Sequence, residues 1–235
     1  MTTLFLHPVG LDRHVWDGIA APGDLTLDFP GFGETPPLPE SLPGPLSLPA
    51  LADHVAAALP GPVDVVGLSL GSMVSQHLAL RHPERVRSLV LCAGGPHSNP
   101  DAARQRAQQA RTGGMAGALP STLTRWFTTE ALHALHHPGV VYVRDRLLAD
   151  DAETFARYWE AMGPHRVTES LGGIAVPVTV VAAAGDRSVP VATMALLADG
   201  ITGAELRVVD GPHLLPLERP AEFRAILADH ATRLP

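Results

Sequence analysis

The stretch Gly67-Leu68-Ser69-Leu70-Gly71 constrains this chain more than any other. It follows an apolar, mostly β-branched run, Val63-Asp64-Val65-Val66, and precedes an amphipathic stretch, Leu70–Arg81, that ends before His82-Pro83. A continuous apolar strand is what burial on both faces requires, as in a parallel sheet covered by helices. The turn between strand and helix places Ser69 at its apex. A glycine two positions before and two positions after removes the side chains that would collide where strand and helix nearly touch. Ser69 is therefore a candidate nucleophile. The plainer alternative, a tight glycine turn with a capping serine, needs no partners elsewhere in the chain.

A serine becomes nucleophilic near neutral pH only with a base beside it and a carboxylate to orient that base. Among the 12 histidines, His213 is best placed: Val208-Val209-Asp210-Gly211-Pro212-His213 reads as a strand end followed by a turn. Asp186 lies in Gly185-Asp186-Arg187-Ser188-Val189-Pro190, just past the apolar run Val176–Ala183. Both fall at the C-terminal edge of a strand, where open α/β sheets bind ligands. The oxyanion formed on attack needs two preorganised N–H donors. Leu70, following the nucleophile at a helix N-terminus, supplies one. The other is expected from Leu6-His7-Pro8-Val9-Gly10; Pro8 carries no N–H, so Val9 is the nearest amide that can serve.

Around these residues the chain alternates strands and helices. Strands are expected at Thr3–His7, Leu25–Phe29, Val63–Gly67, Val86–Cys92, Val176–Ala183 and Glu205–Val209, and helices at Asp12–Ala21, Leu48–Leu59, Leu70–Arg81, Val191–Leu197 and Pro220–Arg233. The proline-rich segment Pro30–Pro49 reads as a surface loop. Between residues 96 and 168 the rhythm changes to helix after helix: Asp101–Arg111, Met115–Phe127, Thr129–His136, Val140–Leu148 and Ala152–Met162. The economical reading is one α/β core, residues 1–95 and 169–235, interrupted by a helical cap, residues 96–168.

These motifs together resemble the α/β-hydrolase family, whose catalytic residues follow the chain order Ser, Asp, His seen in Ser69, Asp186 and His213. His7-Pro8-Val9-Gly10 followed by Trp16 is similar to the family's His-Gly-x-x segment. Asp28-Phe29-Pro30-Gly31-Phe32-Gly33-Glu34-Thr35 resembles its Asp-x-Pro-Gly-x-Gly-x-Ser turn, and His82-Pro83-Glu84-Arg85-Val86 and Glu218-Arg219-Pro220 also match. Within the helical segment, Arg125-Trp126-Phe127-Thr128, Tyr158-Trp159-Glu160-Ala161-Met162 and Ile174-Ala175-Val176-Pro177 resemble the 3-oxoadipate enol-lactonase and carboxylesterase branch, although His165-Arg166 stands where that branch carries an Asp-containing stretch. Pro8 replaces the usual glycine. The chain opens at the strand usually numbered third, so the N-terminal strands are expected to be shortened.

The resemblance implies a mostly parallel sheet flanked by helices, with a helical cap, and hydrolysis of a carboxylic ester or lactone through an acyl-enzyme at Ser69 without a cofactor. An alternative on the same fold is a cofactor-free C–C hydrolase, lyase or cyclase acting on a natural-product-like substrate in the same pocket; another is a ligand-binding receptor with vestigial catalysis. Trp126, Trp159 and Met162 are candidate pocket residues.

Composition removes other classes. All 17 basic residues are arginine, so chemistries that need a lysine amine, such as a Walker-type phosphate loop or a pyridoxal Schiff base, are excluded. The net charge of −7 with no basic block argues against nucleic acid as a partner. Cys92 is the single cysteine, which excludes an intramolecular disulfide and a thiolate zinc cage, and it reads as a small buried hydrophobe. Glu130, His133 and His137 have helical spacing that superficially suits a metal, but no second helix offers further ligands, and a solvated cap helix is expected. No apolar run reaches the roughly 20 residues that span a bilayer, and no secretory signal opens the chain, so a cytoplasmic protein is expected.

Overall fold

The computed structural model describes residues 2–38, 42 and 44–234. Six strands form one sheet: β1 (Thr3–Leu6), β2 (Leu25–Leu27), β3 (Val63–Leu68), β4 (Val86–Cys92), β5 (Val178–Ala183) and β6 (Glu205–Val209). Their order is β2-β1-β3-β4-β5-β6, and every neighbouring pair is parallel. Every residue of β3 and of β5 is buried, as their continuous apolar sequences require.

This order determines where a site can form. From β1 the chain moves outward to β2, then returns to β3 on the other side of β1 and proceeds to β4, β5 and β6. The switch in direction lies between β1 and β3, and it opens a crevice at their C-terminal ends. Leu6 pairs with Gly67 there, so the segment after β1 and the turn after β3 emerge side by side. The sheet is joined by helices α1 (Leu48–Ala58) and α2 (Leu70–Arg81), and by α7 (Val191–Gly200), α8 (Leu215–Glu218) and α9 (Pro220–Thr232) later in the chain; the four that fall between β4 and β5 are α3 (Pro100–Trp126), α4 (Thr129–His133), α5 (Pro138–Ala149) and α6 (Ala152–Met162). Asn99 caps α3 by accepting the amides of Asp101 and Ala102, and Gly114 breaks the helical conformation inside it (φ 64°, ψ −175°). α3 packs along α6, with Arg111 bridging Glu153 and Glu160.

Two helices expected from the sequence are corrected. The helix expected at Asp12–Ala21 is a single 3₁₀ turn, Arg13–Trp16. Asp12 accepts the His14 amide at its start, Asp17 leaves helical geometry at its end, and Gly18 adopts φ +75°. The helix expected at Thr129–His136 stops at His133, because Ala134 is extended. His137 instead caps α5, accepting the Val140 amide at Nδ1, so Glu130, His133 and His137 do not share a helix. Of the Pro30–Pro49 loop, residues 39–41 and 43 lie outside the described residues, and α1 begins at Leu48. No helix among the described residues is long and apolar enough to cross a membrane.

Candidate active site

The turn after β3 is built around steric necessity. Ser69 adopts φ 55°, ψ −111°, a strained conformation for a non-glycine residue. Its neighbours explain why only glycine fits on either side: a Cβ on Gly67 would lie 2.5 Å from the carbonyl oxygen of Gly71, and one on Gly71 would lie 2.1 Å from the carbonyl oxygen of Leu6. The Ser69 amide donates to the Cys92 carbonyl (2.8 Å), which ties the turn to the end of β4. Burial pushes the Cys92 thiol up, with the nearby Asp186 charge acting in the same direction, so this thiol is no rival nucleophile.

The Ser69 hydroxyl lies 3.0 Å from His213 Nε2, and His213 Nδ1 lies 2.8 Å from Asp186 Oδ2. An ionised carboxylate only accepts, so Nδ1–H donates to Asp186, and Nε2 is left to accept from the serine hydroxyl. Asp186 is held in turn: its Oδ1 accepts the amides of Ser188 (2.7 Å) and Val189 (2.9 Å). The loops carrying Asp186 and His213 are stitched together by the Gly185 amide donating to the Gly211 carbonyl (2.9 Å), a close approach that a Cβ on Gly185 would obstruct. All three side chains are buried. Asp210, beside His213 in sequence, is exposed at the protein surface.

The segment after β1 is fixed by His7. This imidazole is completely buried, and the desolvation lowers its pKa to about 4, so it is neutral. Its Nε2 accepts the Phe29 amide (2.8 Å), which leaves Nδ1–H to donate to the Pro8 carbonyl (2.8 Å). The Leu11 amide donates to the same carbonyl, and Gly10 turns the chain at φ +72° beneath Phe155. Val9 and Leu70 are both fully buried.

A cavity of about 560 Å³ opens over Ser69 and His213. Trp126, Trp159 and Met162 line it, with Met73 and Val189 adding apolar wall. The Trp126 indole also stacks on the His213 ring, with centroids 6.0 Å apart and 24° between planes. Sequence reasoning missed Arg106, His97 and Ser188, which line the same cavity. Ser188 had a usable signal, two residues after Asp186; Arg106 had none, because the spacing of α3 does not reveal what it packs over. Glu130, His133 and His137 do not assemble, and the described residues contain no group of three or more His, Cys, Asp or Glu side chains that could hold a metal ion.

A strand-to-helix serine, a histidine within hydrogen-bonding reach and a carboxylate behind it, at the C-terminal edge of a parallel sheet, define a class. The chain belongs to the α/β-hydrolase family, whose model matches residues 3–226. It is 31% identical over 218 residues to the pimeloyl-(acyl-carrier protein) methyl ester esterase of Chromobacterium violaceum, covering 87% of this chain and 82% of that protein. It is 30% identical over 176 residues to 3-oxoadipate enol-lactonase 2 of Acinetobacter baylyi, covering 74% of this chain and 64% of that one. Among solved structures, the enol-lactonase from Burkholderia xenovorans LB400 superposes with a TM-score of 0.91 at 26% identity, covering 99% of this chain and 91% of that chain.

Proposed function

We propose that this protein is a serine hydrolase that cleaves a carboxylic ester or lactone through an acyl-enzyme on Ser69. The observation that carries the reading is the unbroken hydrogen-bond chain from the Ser69 hydroxyl through His213 to Asp186, opening on a cavity of mixed polar and apolar lining. Similarity to esterases and to enol-lactonases supports the bond type.

His213 Nε2 takes the hydroxyl proton as Ser69 Oγ attacks the carbonyl carbon, and Asp186 stabilises the imidazolium that results. The amides of Val9 and Leu70 receive the developing oxyanion; losing one such donor typically costs about 3 kcal/mol. Collapse of the tetrahedral intermediate expels the alcohol, which takes the proton from His213. Water then attacks the acyl carbon, gives a proton to His213, and releases the acid and free Ser69. With a lactone the leaving hydroxyl remains part of the same product. The helical segment, residues 96–168, serves as the cap of the site, with Trp126, Trp159 and Met162 against the acyl group. The other segments, residues 1–95 and 169–235, supply the core and the reacting groups.

A chromogenic acyl ester assayed with wild type and with Ser69→Ala tests the reading. Hydrolysis by wild type that falls to the uncatalysed rate in the variant is the expected result. An equally active Ser69→Ala protein rejects it.

A further inference from the structure

The cavity over Ser69 has a chemical asymmetry that the hydrolytic reaction does not use. Among the described residues it is lined by one guanidinium, that of Arg106, and by no Asp or Glu. Arg106 stands over the Trp159 ring, with Cζ 4.6 Å from the centroid. Its guanidinium makes no ion pair or hydrogen bond among the described residues, although this chain has more acids than bases. The acids on neighbouring elements are engaged elsewhere: Glu153 and Glu160 bind Arg111, and Asp101 binds Arg104. Two further donors in the cavity wall are buried and unpartnered among the described residues, the Trp159 Nε1–H and the Ser188 hydroxyl. Desolvation lowers the pKa of Arg106, as expected for a cation withdrawn from water with no counter-charge.

An arginine half-withdrawn from water without an acid is unfavourable in the free protein, and a ligand anion removes the penalty. From this we infer that Arg106 is a specificity determinant that binds a carboxylate on the acyl part of the substrate, so that the preferred substrates are esters or lactones carrying a free carboxylate remote from the scissile bond. A single guanidinium matches one planar, singly charged carboxylate, and its fork geometry accepts both oxygens. A phosphate monoester, with nearly two charges at neutral pH, would be left half neutralised. The inference deepens the ester and lactone hydrolase reading and rests on it for the word substrate, but the binding it describes is measurable without turnover.

The test compares two substrates in each protein. Monomethyl adipate and its neutral terminal-amide isostere are supplied to wild type, Arg106→Met and Arg106→Lys, and the ratio of their kcat/KM values is read, which cancels differences in the amount of folded protein. Wild type should favour the carboxylate at least tenfold. Arg106→Met should lower that ratio tenfold or more, and Arg106→Lys should recover part of it. In parallel, calorimetry measures adipate binding to Ser69→Ala and to Ser69→Ala/Arg106→Met, where a loss of affinity of tenfold or more is expected in the double variant. A ratio near one in wild type, a ratio indifferent to Arg106→Met, or equal adipate affinity in the two calorimetric proteins overturns the inference. Absence of hydrolysis of either adipate ester and of the chromogenic ester, with adipate binding that depends on Arg106, rejects the hydrolase reading and leaves the carboxylate site standing.

Discussion

The Trp126 indole lies stacked on the imidazole of His213, with ring centroids 6.0 Å apart. The Trp126 carbonyl accepts the Leu214 amide (3.2 Å), so the end of α3 and the turn carrying His213 are held by both side chain and backbone. Arg187, next to Asp186, donates to the Thr124 carbonyl (3.1 Å), and Glu218 accepts the Thr128 amide and hydroxyl. The helical segment is thus docked on the loops that carry Asp186 and His213 and on α8.

The stacking changes what a substitution at Trp126 should do. A pocket wall alone would alter selectivity between short and long acyl chains while sparing the smallest ester. Because Trp126 also holds the His213 ring, Trp126→Ala should lower kcat about tenfold even on an acetyl ester, and Trp126→Phe should restore most of the loss. An acetyl ester turned over at the wild-type rate by Trp126→Ala, beside impaired longer esters, would confine Trp126 to the pocket wall.

Asp186 and Asp210 are separated by environment. Asp186→Asn keeps the shape of the site but favours the wrong tautomer of His213, and kcat should fall on the order of a thousandfold or more. Asp210 is exposed and accepts nothing from His213, so Asp210→Asn should leave kcat within about twofold. Steady-state kinetics on one chromogenic ester distinguishes them; the reverse order of effects would reassign the acid.

Pro8 stiffens the segment that presents the Val9 amide, with its φ fixed by the ring and its carbonyl accepting from both His7 and Leu11. Pro8→Gly should lower kcat more than it raises KM, with a small change in Tm, because the donor must then be ordered during the reaction. Unchanged or faster turnover would make the proline a neutral replacement.

Much of the candidate site's geometry is legible in the sequence because its constraints are local. Gly67 and Gly71 flank Ser69 for reasons of contact distance, and Asp186 and His213 each follow a strand in a short turn, so strand assignment alone carries them to one sheet edge. The Asp12–Ala21 helix fails because Asp12 satisfies a 3₁₀ turn and Gly18 takes positive φ, both choices that apolar spacing does not register. Arg106 is illegible for a different reason: only the packing of α3 against α6 shows that it stands over Trp159 while Glu153 and Glu160 pair with Arg111, so that among the described residues no carboxylate pairs with it.

Stability should fall as the medium is acidified below pH 6.5. Burial holds His7 and His165 at pKa values of about 4, below the ordinary histidine value of 6.5. Between those limits the unfolded chain binds protons that the folded chain refuses, so the stabilisation present above pH 6.5 is lost progressively toward pH 4. Each of the two histidines contributes a slope of up to about 1.4 kcal/mol per pH unit in that window. Urea unfolding at a series of pH values measures it; stability that rose on acidification would contradict the burial of neutral imidazoles.

An acyl-enzyme mechanism requires a covalent bond between the acyl group and Ser69. Intact-protein mass spectrometry after acid quenching during turnover of a slowly deacylating ester, followed by peptide mapping, reads it directly. Wild type should carry one acyl group on the peptide containing Ser69, with Ser69→Ala and His213→Ala unlabelled and no additional loss when the two substitutions are combined. An acyl group retained by Ser69→Ala, or mapped to any other residue of the turning-over wild type, would rule out Ser69 as the nucleophile.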